Sequence, residues 1–194
     1  MSFLLFSDAS DPATRRGFLG KSGLLLSGAA VALLAGRDAL AAKDDNRHDG
    51  AADDVRILNT ALGAELEAIA AYQFGAESGL LQKPVLDLAV TFQGHHKEHA
   101  DVLAKTIGKL GGKPVSAKAG YSFPTDKLKS QFDVLRFAAA LEQGAVSAYL
   151  GAVPLFGNRE LARAAASILG DEAMHWAVLR NALGEVPVPS AFVS

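Results

Sequence analysis

The chain has 194 residues, 49% of them hydrophobic, with 19 Lys and Arg against 21 Asp and Glu and a formal charge of −2. No basic run exists to neutralise a phosphate backbone, so a nucleic-acid partner is not expected. The absence of Cys excludes disulfides, thiolate ligands and cysteine nucleophiles.

Residues 1–41 read as an address rather than as structure. Thr14-Arg15-Arg16-Gly17-Phe18-Leu19-Gly20-Lys21 precedes an apolar stretch from Gly23 to Ala35, and Ala39-Leu40-Ala41 offers the small residues of a cleavage site. The pattern resembles a twin-arginine export signal, which implies a periplasmic protein delivered already folded. The apolar stretch is too short and too rich in Gly, Ala and Ser for a membrane span. An uncleaved N-terminal anchor is the alternative; without Cys, a lipoprotein anchor is excluded. Cleavage near Ala42 would leave 153 residues, 15 basic and 18 acidic, enough for one domain with its own core. Residues 42–52 are polar and read as a flexible leader.

The first predicted helix runs from Asp53 to Ser78. Its stripe is Leu58, Leu62, Glu65, Ile69, Tyr72 and Ala76, Asp53 or Asp54 can cap it, and Gly79 can end it. The second opens near Pro84, which suits a first turn, and stops at Gly111-Gly112. Its stripe reads Leu88, Phe92, His95, His99, Val102, Thr106 or Ile107, and Leu110. The third runs from Ser130 to Val153, before Pro154, with Leu135, Ala139, Glu142, Val146, Tyr149 and Val153 in line. The fourth opens after an Asn158 cap and ends at Gly184, with Leu161, Ala165, Ile168, Glu172, His175, Leu179 and Leu183 in line. Residues 111–129 form a long Gly-, Pro-, Lys- and Ser-rich crossover. Residues 185–194 form an extended tail, because each Pro in Val186-Pro187-Val188-Pro189 pushes its predecessor out of the helical region. The expectation is an all-α domain over 53–184, a four-helix bundle of two hairpins.

Every stripe carries an acid or an imidazole. Burying such groups without partners costs several kcal/mol, and a metal bound inside the bundle is the simplest compensation. Ligands on one helix must lie three or four residues apart to reach one ion. Glu172 and His175 satisfy this, as do His96 and His99, and His95 and His99. A structural hydrogen-bonded pair is the bland alternative for Glu172 with His175. Glu67, Glu98, Asp101 and Asp171 read as solvated charges. The halves also repeat: Glu65 precedes Ala71-Tyr72 as Glu142 precedes Ala148-Tyr149, and His99 precedes Leu103 as His175 precedes Leu179.

Together these residues resemble the ferritin-like superfamily of di-metal carboxylate bundles. Its pattern is one Glu on the first helix, E-x-x-H on the second, one Glu on the third and E-x-x-H on the fourth. Glu65, His99, Glu142, Glu172 and His175 match, and the resemblance spans about residues 53–183. It implies an exported bacterial metal protein, with iron, as a two-ion centre, the first expectation. Manganese, zinc and copper stay open, since a nitrogen-rich set suits iron, zinc and copper better than magnesium or calcium.

One position departs from the pattern. Aligning His99 with His175 places His96 where the family has a bridging Glu, and an imidazole supplies no carboxylate bridge. Either His96 binds one ion terminally while Glu172 bridges, or one ion binds well and the second does not. His95 is the alternative to His96. Tyr72 and Tyr149, two turns beyond their glutamates, read as core residues with bonded hydroxyls or as donors behind the ligands. Three functions fit: redox chemistry on iron, oxygen or peroxide; metal binding without turnover; or a stress-related or structural bundle with a vestigial site. Metal ions are the expected partners, no membrane span is expected after cleavage, and a homodimer is left open.

Overall fold

The computed structural model describes residues 50–193. The export signal, the cleavage site and the leader up to residue 49 lie outside the described residues. Four long helices follow in order: α1 (Gly50–Glu77), α2 (Lys83–Lys109), α3 (Gln131–Ala152) and α4 (Arg159–Ala182), with a short 3₁₀ turn, Val153–Leu155, between the last two. There is no strand among the described residues.

Local chemistry accounts for the boundaries. Ser130 caps α3 by accepting from the Asp133 amide, and Asn158 caps α4 by accepting from the amides of Glu160 and Leu161. Gly111 and Gly184 take φ of +79° and +73° just past α2 and α4. There the amides of Gly112 and Glu185 reach back to the carbonyls of Ile107 and Arg180, a closure that needs a left-handed residue. At the other end α1 is already helical at Gly50, ahead of the Asp caps that the sequence suggested. Asp54 is instead buried, and its carboxylate accepts from the amides of Gly157 and Asn158 at 2.8 and 3.1 Å. It ties the first helix to the entry of the last.

α1 packs on α2 and α3 on α4, and the two hairpins meet along α1 and α3. The core consists of two apolar clusters. One gathers Leu58, Leu62, Leu103, Ile107, Tyr149 and Ile168; the other gathers Tyr72, Phe92, Leu135, Ala139 and Leu179. On α1, α3 and α4 the predicted stripes supply this core. On α2 the buried stripe is Phe92, His96, Ala100, Leu103 and Ile107; Phe92 and Ile107 lie on the predicted line, and the positions between them fall one residue on from it. Val102, placed inward from the sequence, is 53% exposed. Two apolar lines run side by side on this helix, and packing selects the one with Leu103. No helix among the described residues is long and apolar enough to cross a membrane.

Candidate metal centre

Between the two apolar clusters lies a polar layer. Glu65 comes from α1, His96 and His99 from α2, Glu142 from α3, and Glu172 and His175 from α4. Five of the six are 3% exposed or less, and the His99 side chain is 15% exposed. Their atoms fall into two adjoining lobes, each able to offer four donors to one ion. Glu65, His96, His99 and Glu172 form the first, and His96, Glu142, Glu172 and His175 the second.

His96 and Glu172 belong to both lobes. His96 Nδ1 lies 2.8 Å from Glu65 Oε2, and its Nε2 lies 3.3 Å from Glu142 Oε1. The ring therefore turns one nitrogen toward each lobe. Glu172 Oε1 is 3.2 Å from His99 Nδ1, while Oε2 is 3.6 Å from His175 Nδ1.

Two tyrosines cross the layer. Tyr149 on α3 donates to Glu65 Oε1 on α1 at 2.6 Å, and Tyr72 on α1 donates to Glu142 Oε1 on α3. Burial first, then the charges of Glu142 and Glu65 respectively, hold both phenols well above their ordinary pKa, so they act as donors. Burial alone would push the imidazoles down. Hydrogen bonds to Glu142 and Glu65 outweigh this and lift His96 to about 11. The carboxylates of Glu172 and Glu65 beside it lift His99 to about 9, and those of Glu142 and Glu172 lift His175 to about 9. Burial pushes Glu65 and Glu142 up, but their imidazole partners more than offset it, and both sit below the usual carboxylate range.

Pairing with protonated imidazoles does not satisfy every group. His99 Nδ1, Glu142 Oε2, both oxygens of Glu172 and His175 Nδ1 are buried without a hydrogen-bond partner. Buried polar atoms are ordinarily bonded, and leaving a carboxylate oxygen bare costs several kcal/mol. All these atoms belong to residues of the two lobes, so a cation there would find donors already desolvated. The residues fit a metal ion on that ground.

One sequence reading needs correction. Asp171 is not a solvated charge: its side chain is 23% exposed and faces three histidines. Its spacing of four from His175 places both on one helix face, a signal that the sequence did contain. His95, the alternative to His96, lies at the rim with a side chain 41% exposed, whereas His96 is buried at 1%. The helical line through His95 and His99 is the shallower of the two on α2. Glu98 and Asp101 are exposed and Glu67 is half-buried. Gln93 also escaped notice: buried beneath the layer, it donates to Ile69 O and Gln73 Oε1 at 3.0 and 2.8 Å, bracing α2 on α1.

A family profile described as the ferritin-like domain matches residues 53–185. The chain belongs to the ferritin-like domain family. A crystal structure of a conserved hypothetical protein from Mycobacterium tuberculosis is similar in fold, with a TM-score of 0.63 and 24% identity. The match covers 73% of this chain and 97% of that one. None of the curated proteins matches the chain.

Proposed function

We propose that this ferritin-like protein is exported by the twin-arginine route and binds transition-metal ions, iron foremost, in its two buried lobes. The observation that carries the reading is the set of desolvated, unbonded donors on His99, Glu142, Glu172 and His175. Glu65 and His99 would hold an ion in the first lobe and Glu142 and His175 one in the second, with Glu172 shared between them and His96 serving one of the two at a time. A bound redox metal would supply one-electron chemistry toward oxygen or peroxide. The chain's own part is to position and to seal. Tyr149 holds Glu65 by Oε1, the oxygen not facing His96 and His99, and Tyr72 holds Glu142 by Oε1, leaving Oε2 unbonded; the apolar clusters lie on either side.

A second reading, metal holding without turnover, is favoured by one feature. His96 replaces the carboxylate that would neutralise two close cations, so the six inward ligands carry three negative charges rather than four. Anaerobic loading of the full-length protein with iron(II), followed by oxygen, separates the readings. Oxygen consumption in proportion to bound iron supports redox function. Iron that stays bound without consuming oxygen supports holding. Protein that takes up no metal overturns both.

A further inference from the structure

Beyond the two buried lobes, Asp171 organises a third cluster at the rim of the layer. Its Oδ2 lies 3.3 Å from His95 Nδ1, 3.4 Å from His99 Nε2 and 3.2 Å from His175 Nε2. His95 Nδ1 is 2.8 Å from His175 Nε2, and the two rings stack with centroids 5.1 Å apart. His99 and His175 thus face the buried glutamates with Nδ1 and face Asp171 with Nε2. His95 and Asp171 have side chains 41% and 23% exposed, so this cluster meets solvent where the lobes do not.

We propose that His95, Asp171 and His175 form an outer site that takes a divalent transition-metal ion from solution and stages it for the buried lobes. Donors on a tetrahedral ion with bonds of about 2.0–2.2 Å lie about 3.3–3.6 Å apart. The two contacts to Asp171, at 3.3 and 3.2 Å, lie within about 0.1 Å of that spacing, and the His95–His175 pair meets it by opening about 0.5 Å, exchanging a hydrogen bond for two metal bonds. Two imidazoles and one carboxylate select zinc, copper or iron(II) over magnesium or calcium. His175 is the shared element: Nδ1 belongs to the second lobe and Nε2 to the outer site. A neutral imidazole has one free lone pair, so the ring serves one ion at a time. That makes the outer site a stop on the way in, not an independent store.

The staging step rests on the function proposed above; the outer site itself does not. The test uses zinc(II) added to full-length, metal-free protein. Uptake is followed by rapid mixing and by competition with a chromogenic chelator, with final content from elemental analysis. His95→Ala, a change at a half-exposed position outside the core, is expected to slow filling of the slowly exchanging pool at least tenfold without lowering its final content. A Glu142→Gln/Glu172→Gln variant, disabled in the buried lobes, is expected to keep one rapidly exchanging zinc that disappears when His95→Ala is added. Unchanged filling rates in His95→Ala, or a rapidly exchanging zinc indifferent to His95, would overturn the outer site. A rapidly exchanging, His95-dependent zinc in a wild type that shows no slowly exchanging pool would uphold the outer site and sink the buried centre instead.

Discussion

The phenol of Tyr149 donates to Glu65 Oε1 at 2.6 Å across the interface between the two hairpins. Tyr72 does the same for Glu142 in the opposite sense, so each hairpin clamps the glutamate of the other. Removing a hydrogen bond to a charged group costs about 1.5–3 kcal/mol. Tyr149→Phe should destabilise the metal-free protein by that order and lower its melting temperature accordingly, and Tyr72→Phe should match it. Thermal unfolding followed by circular dichroism checks this; a loss confined to one of the two would deny the symmetry.

His96 lies between the lobes with one nitrogen toward each. His96→Glu restores the family's ligand pattern and adds a negative charge between two sites for cations. We expect the second ion to bind at least about tenfold more tightly, equivalent to about 1.4 kcal/mol. Calorimetric titration of both proteins with the same metal measures it. An unchanged second affinity would remove His96 from the bridging position.

Acidity should act oppositely on the metal-free and loaded protein. His99 and His175 are lifted from 6.5 to about 9, and His96 to about 11. Groups raised in the folded state stabilise it fully below pH 6.5 and lose that contribution as pH climbs through 9 and beyond. Glu65 and Glu142 lie below their ordinary 4.5, so their contribution is present above that pH and fades as pH falls through their lowered values. The metal-free protein should therefore melt highest between about pH 5 and 6.5. Metal must displace the imidazole protons, so apparent affinity should rise with pH. The gap in melting temperature between loaded and metal-free protein should widen from pH 6 to pH 8. A gap that narrows over that range would show that the imidazoles do not bind the metal.

Export depends on Arg15 and Arg16 in the proposed reading. Replacing both with Lys should leave uncleaved precursor in the cytoplasm, visible by fractionation and immunoblotting. Normal secretion of the double variant would remove the twin-arginine assignment without touching the bundle.

The helices and their ends were readable because each is marked locally: Ser130 and Asn158 at starts, Gly111 and Gly184 past ends, and apolar spacing between. The inward acids were equally plain, since Glu65, Glu142 and Glu172 each break an otherwise apolar line. What periodicity left undecided was depth. On α2, Val102 and Leu103 define competing lines, and only contact with the other helices shows that His96 lies on the deep one and His95 on the shallow one. Asp171 was misread for a related reason: beside a glutamate at the rim of a stripe, an acid looks solvated until a neighbouring helix turns histidines toward it. Asp54 likewise reads as a cap until the loop at Gly157 closes over it.

The polar layer is divided evenly between the hairpins. Glu65, His96 and His99 stand on one, Glu142, Glu172 and His175 on the other, and each lobe draws donors from both. Neither hairpin alone can present four donors, and the connection joining them is long enough to let them part. An ion seated there would work as a clasp. Its binding and the joining of the halves would be thermodynamically linked, so metal loss would loosen the tertiary assembly before it touched the helices of either hairpin.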